Sequence, residues 1–124
     1  MRIFKSKRFS KFAKDEGISD AKLCAAVKDA EAGLIDADYG GGVIKQRIAR
    51  PNEGKSGGYR TIILYCRGDK AFFVYGFGKN ARDNTNKIEE REYKELAKIT
   101  FALSDDQLAK LIKDGVYIKI KDEG

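Results

Sequence analysis

Residues 59–77 read Tyr59-Arg60-Thr61-Ile62-Ile63-Leu64-Tyr65-Cys66, then Arg67-Gly68-Asp69-Lys70, then Ala71-Phe72-Phe73-Val74-Tyr75-Gly76-Phe77. Two runs dense in β-branched and aromatic side chains flank a four-residue break centred on Gly-Asp. This is the pattern of two antiparallel strands joined by a short hairpin turn. Successive side chains on a strand point to opposite faces, so Tyr59, Thr61, Ile63 and Tyr65 share one face and Arg60, Ile62, Leu64 and Cys66 the other. Arg60 therefore sides with an apolar set. Such a cation costs desolvation unless it stands at the sheet's edge or serves a site, and its place at the start of the strand suits a cleft rim.

Working outward, Val43–Arg50 reads as a third strand, with Lys45 and Arg47 on one face and Ile44, Gln46 and Ile48 on the other. Pro51–Gly58, which holds four of the chain's glycines and prolines in eight residues, reads as a long flexible loop. Upstream, Phe9, Phe12 and Ala13 recur at helical spacing within 5–15, and Gly17 ends that helix. Ser19-Asp20 caps a second helix whose Leu23, Ala26, Val27 and Ala30 form a seam, with Cys24 bordering it as a small core residue. Downstream, Tyr93, Leu96, Ala97 and Thr100 share a helical face within 89–100. Ser104-Asp105-Asp106-Gln107 forms a capping box opening a helix with Leu108, Leu111 and Ile112. Val116–Lys121 alternates apolar and lysine, as a last edge strand or an interaction arm does. The expectation is one α+β domain over residues 1–124, with helices first, an antiparallel sheet in the middle and helices after.

Composition narrows the chemistry. No stretch approaches the roughly 20 apolar residues of a membrane span, and Met1-Arg2-Ile3-Phe4-Lys5 turns charged before a signal-peptide core develops, so the expectation is a cytoplasmic protein without membrane contact. Two cysteines, Cys24 and Cys66, sit far apart without CxxC spacing and read as reduced thiols, with no zinc site. The chain has no histidine. That excludes Ser-His-Asp, Cys-His and two-His ribonuclease mechanisms, and leaves Lys, Arg, Tyr, Asp and Glu for any catalysis. The net charge of +6 is not spread evenly: from Lys45 to Arg82 nine basic residues face two acidic ones, so this stretch carries the whole excess. A clustered positive region is the footprint of a phosphate-rich partner.

Two glycine patterns are decoys. Gly54-Lys55-Ser56 lacks the earlier glycine of a P-loop, since Ala49 stands there, and a strand follows instead of a helix. Gly76-Phe77-Gly78-Lys79-Asn80-Ala81 matches GxGxxA, but the chain left after it is too short for the parallel strand that a dinucleotide fold requires.

Three segments taken in order carry a resemblance: Val43-Ile44-Lys45-Gln46-Arg47-Ile48-Ala49, then Gly54-Lys55-Ser56-Gly57-Gly58-Tyr59-Arg60-Thr61-Ile62, then Phe72-Phe73-Val74-Tyr75-Gly76-Phe77-Gly78-Lys79-Asn80-Ala81-Arg82-Asp83-Asn84. Together they resemble the RelE/HigB-type toxins of bacterial type II toxin–antitoxin systems, in the wider RelE/ParE group. The resemblance implies an N-terminal helical hairpin packed on a curved antiparallel sheet of about four strands, with C-terminal helices. It implies a ribosome-dependent mRNA endonuclease that cuts in the ribosomal A site without metal or other cofactor. The partners implied are mRNA on the ribosome, 16S rRNA, and a cognate antitoxin of helix-turn-helix DNA-binding type. Arg60 and Lys79 match the family's functional basic positions, Lys55 matches a loop lysine, and Lys45 and Arg47 match a basic strand pair. Asn80 and Arg82 join them as RNA-contacting positions, with Tyr59 and Phe77 as stacking candidates.

Cleavage through a 2′-hydroxyl needs a base, an acid for the leaving 5′-oxygen, and charge stabilisation at the phosphorane. Arg60 suits the last role, because a guanidinium stays charged and holds two phosphate oxygens at once. Lys79 or Lys55 would serve as acid or base under the field of the neighbouring cations. A ParE-like gyrase poison on the same scaffold and a non-catalytic RNA-binding module are the alternatives.

Overall fold

The computed structural model describes residues 1–50, 54–78 and 87–121; for residues 54–57 and 87 the description is of the backbone. The elements run β1 (Arg2–Ser6), α1 (Lys7–Glu16), α2 (Asp20–Glu31), β2 (Ala37–Gly40), β3 (Val43–Arg50), β4 (Gly54–Cys66), β5 (Lys70–Gly78), α3 (Lys87–Phe101), α4 (Asp105–Lys113) and β6 (Tyr117–Ile120). The strands form one six-stranded sheet in the order β2-β3-β4-β5-β1-β6.

The α+β class holds, with three differences in arrangement, and the sheet has six strands where about four were expected. The first element is a strand, and the sheet is mixed because β1 runs parallel to β5, from Arg2 opposite Lys70 to Lys5 opposite Phe73. This strand has no alternating signature because it lies between β5 and β6 with both faces covered. Ile3 packs toward α1 and α2, while Phe4 stacks on Phe72 with ring centroids 4.9 Å apart. Strand β2 likewise escapes notice, since Ala37-Asp38-Tyr39-Gly40 has weak strand propensity and is held by its pairing with β3. Val116–Lys121 resolves as the edge strand β6, antiparallel to β1.

A third difference lies in the segment read as a loop, where β4 already begins at Gly54; Pro51, Asn52 and Glu53 lie outside the described residues. The pairing of β3 with β4 shifts register between Ile48 and Arg50, and Gly58 sits against this irregularity. A Cβ at Gly58 would collide with the Ile48 carbonyl oxygen, so the glycine permits the two backbones to close.

Helices cover both faces. On one, Phe9 and Ala13 of α1 and Leu23, Ala26, Val27 and Ala30 of α2 pack on Ile44, Ile48, Tyr59, Ile63, Tyr65 and Phe73. On the other, Ala97 of α3 and Leu108 of α4 pack on Val43, Ile62, Leu64, Phe72, Val74 and Tyr117. The face assignment of Tyr59, Ile63 and Tyr65 against Ile62 and Leu64 is thus borne out. Cys24 is buried beside the α2 seam, as expected. The N-caps also hold: Ser19 Oγ accepts from Lys22 N, and the Ser104–Gln107 capping box is complete in both directions. Among the described residues no helix is long and apolar enough to cross a membrane.

Candidate functional site

The basic residues of β3 and β4 meet through register. Arg47 stands directly opposite Arg60, and Arg60 stands opposite Phe77 on β5. Directly opposed residues of an antiparallel pair have Cβ atoms about 4.5–5.5 Å apart, and like charges there repel. A cross-strand arginine pair is therefore a feature whose repulsion an anion relieves.

Which face β5 adds depends on a bulge. Ile62 pairs with Tyr75 but Ile63 with Phe73, so Val74 is the extra residue. The parity of β5 reverses beyond it, and Tyr75 and Phe77 come to the face of Arg60, with rings 5.8 Å apart. Gly76 turns to the opposite face, where a Cβ would strike the Phe12 ring of α1.

On β3, Gln46 has the decisive structural part. It is 3% exposed, and its amide Nε2 donates to the carbonyls of Ala26 and Leu34 at 3.0 Å each, while Oε1 accepts from Asp36 N at 2.9 Å. A buried amide with its partners satisfied fixes α2, the segment before β2 and β3 relative to one another. The consequence is the position of Asp36. Its Oδ1 lies 2.8 Å from Arg47 Nε and its Oδ2 lies 3.7 Å from Lys45 Nζ, so one carboxylate serves both Lys45 and Arg47. The Lys45 side chain is largely buried, whereas that of Arg47 is 43% exposed, which leaves Arg47 the more available of the two. Arg60 is half-buried, with Nη1 donating to the Gly58 carbonyl at 3.4 Å.

Tyr59 does not join this face. It is 5% exposed on the α1 side, edge-on to Phe12 with centroids 5.8 Å apart, and the Arg50 guanidinium lies 4.7 Å above its ring. Its hydroxyl donates to the Glu16 carbonyl at 3.4 Å. Its ring is thus engaged in packing, with no open surface for a base. Phe77 is on the Arg60 face but is itself 4% exposed. Lys79, Asn80 and Arg82 lie outside the described residues, and Lys55 is described only by its backbone on β4.

Three residues that the sequence reading did not single out as site members belong to this constellation. Asp36 gives no motif, because its role depends on Gln46. Tyr75 needs the bulge. Arg8 of α1, whose guanidinium lies 5.0 Å above the Tyr75 ring, needs the packing of α1 beside β5.

A family model described as the RelE toxin of the RelE/RelB toxin–antitoxin system matches residues 1–120. The chain belongs to the RelE toxin family. The match runs from the first residue to the last residue of β6, so all ten elements among the described residues lie within it. No curated protein matches the chain. Arg47, Arg60, Tyr75 and Phe77 therefore form the cationic and aromatic face of a toxin from a toxin–antitoxin system.

Proposed function

We propose that this toxin is a ribosome-dependent mRNA endonuclease that stops translation by cutting mRNA in the ribosomal A site. The observation that supports this most is the cross-strand pair of Arg47 and Arg60 with Phe77 beside it. Two arginines opposed across neighbouring strands suit a phosphate whose charge increases in the transition state, and guanidinium–phosphate contacts are strong, directional and unaffected by pH.

In this reading the RNA 2′-hydroxyl attacks the adjacent phosphorus, the 5′-oxygen leaves, and a cyclic 2′,3′-phosphate remains. Arg60 holds the phosphorane oxygens. Lys79 and Lys55 move the protons, one taking that of the 2′-hydroxyl and the other giving one to the 5′-oxygen. Arg47, partly balanced by Asp36, steers the phosphate backbone, and Lys45 supports it electrostatically. Asn80 and Arg82 contact RNA next to Lys79. No metal or cofactor is assigned a step. The partners are mRNA on the ribosome, with 16S rRNA at its border, and a cognate antitoxin of helix-turn-helix type, in a cytoplasmic setting.

The test is induction of the chain without antitoxin, read by growth arrest and by primer extension on cellular mRNA. Wild type arrests growth and leaves codon-phased cuts, while Arg60→Ala and Lys79→Ala each lose at least a hundredfold in cleavage, the range for removing one preorganised charge-stabilising group. Growth arrest at wild-type strength in both variants refutes the assigned site. DNA breaks without mRNA cuts would refute the nuclease reading in favour of a gyrase poison.

A further inference from the structure

We propose that the groove between α1 and the outer half of β5 is an extension of the RNA site, in which Arg8 and Tyr75 form a stacking platform for an unpaired base next to the cleaved phosphate. The inference rests on the RNA reading of the Arg47–Arg60 face and adds a second contact region to it.

Three observations converge. First, β1 pairs with β5 only from Lys70 to Phe73, and α1 begins directly afterwards at Lys7. Beyond Phe73 the outer side of β5 thus borders a helix, and a groove of about 320 Å³ opens there, lined by Arg8, Phe9, Lys11, Phe12, Asp15, Tyr75 and Gly76, with Asp15 the one acidic group among them. Gly76 lets the Phe12 and Phe9 rings pack directly on the β5 backbone and form the groove's floor.

Second, a chain of contacts and cross-strand pairs links the groove to the cationic face by way of the buried Phe77 ring. Arg8 lies over Tyr75 at 5.0 Å, Tyr75 lies 5.8 Å from Phe77, Phe77 opposes Arg60 and Arg60 opposes Arg47. Cation, aromatic, aromatic, cation and cation thus follow one another across four elements. A guanidinium plane over a half-buried tyrosine is a surface on which a flat heterocycle stacks, and alternating it with cations suits single-stranded RNA better than an apolar protein segment.

Third, α1 is charged against its own dipole. Its first turn has no acidic residue and begins with exposed Lys7 and Arg8, while Lys11 pairs with Asp15 at 2.8 Å. Cations at a helix N-terminus are unfavourable, and a phosphate placed there reverses the sign of the interaction.

The experiment uses the purified full chain and a 2′-O-methyl RNA dodecamer, which lacks the 2′-hydroxyl needed for cleavage, carrying one 2-aminopurine. Binding is read by anisotropy, and stacking by quenching of the 2-aminopurine. Tyr75→Ala and Arg8→Gln each weaken binding about tenfold, the loss that one base–aromatic stack represents, and reduce the quench. Arg8 is exposed, so Arg8→Gln leaves folding intact and keeps the test open even if Tyr75→Ala destabilises the sheet. Arg8→Lys keeps the charge but not the plane, and binds nearly as weakly as Arg8→Gln. Wild-type affinity in Arg8→Lys overturns the stacking platform. Affinity within twofold of wild type in Arg8→Gln and Tyr75→Ala, with binding still lost in Arg60→Ala, overturns the extension alone and leaves the groove to a protein partner. Failure of wild type to bind the dodecamer while it cuts mRNA on ribosomes overturns this inference alone, and failure of both overturns the RNA reading with it.

Discussion

Asp36→Asn separates stability from binding at the cationic face, because it removes one charge and almost no volume. The carboxylate lies 2.8 Å from Arg47 Nε and 3.7 Å from Lys45 Nζ, with the side chains of Asp36 and Lys45 only 16% and 12% exposed. Fully exposed ion pairs contribute about 0–1 kcal/mol, and removing one partner of a buried pair costs about 3–5 kcal/mol. With Arg47 still reaching solvent, the variant should lose about 1–2 kcal/mol, read as a lower urea midpoint at unchanged m-value. Its effect on RNA has the opposite sign. Asp36 is the anion that competes with phosphate for Arg47, so its removal should tighten binding of a 2′-O-methyl RNA dodecamer about three- to tenfold at low salt. The dependence of log affinity on log salt should steepen by about 0.7 for one further neutralised phosphate. Anisotropy titrations at several salt concentrations measure both quantities. Reduced stability with unchanged or weaker RNA binding would refute the reasoning, since it would mean that Arg47 faces no phosphate and that its pair with Asp36 is purely structural.

Gln46→Leu keeps the side-chain volume but leaves the Ala26 and Leu34 carbonyls and the Asp36 amide without their partner, and should cost about 2–4 kcal/mol in urea unfolding. Tyr65 presents the contrary case: its hydroxyl is buried with no hydrogen-bond partner among the described residues, so Tyr65→Phe should hold or raise stability by up to about 1 kcal/mol in the same assay. Burial also pushes the Tyr117 phenol above its ordinary value of 10.0, against a smaller opposing effect of its hydrogen bond with Thr100. The unfolded chain then ionises before the folded one, so this contribution is complete below about pH 10 and is lost as pH rises through the folded value. Tyr117→Phe should reduce the alkaline loss measured by thermal melts between pH 9 and 11.

The parts of the molecule legible in the sequence were those in which each residue is answerable to its neighbours in the chain. The helix caps at Ser19 and Ser104 involve residues three apart, and the faces of Val43–Arg50 and Tyr59–Cys66 follow from alternation alone, so both emerged as read. Strands β1 and β2 did not, because their stability derives from partners distant in sequence: Phe4 stacks on Phe72, and Ala37 and Asp38 pair with Lys45 and Ile44. A segment of four or five residues carries too few positions for a period to show.

The site divides along the same line. Alternation put Lys45 and Arg47 on one face of β3 and Arg60 opposite Tyr59 on β4, and the register then set Arg47 against Arg60. Alternation applied to β5, however, predicts that Phe77 shares a face with Phe73, which packs against Phe9 of α1. The bulge at Val74 reverses that assignment, because one unpaired residue shifts every later side chain to the other face. Nothing within Ala71–Gly78 announces it. The cause is better sought across the sheet, where Phe9 and Phe12 of α1 need space that only the glycine at position 76 leaves. Packing of the first helix therefore selects the parity of β5, and that parity sets Tyr75 and Phe77 in line with the two arginines. On this argument a Gly76→Ala substitution forces Phe12 to move and disturbs the Tyr75–Phe77 pair on the opposite face, so that a core mutation beneath α1 changes the chemistry of the surface behind it.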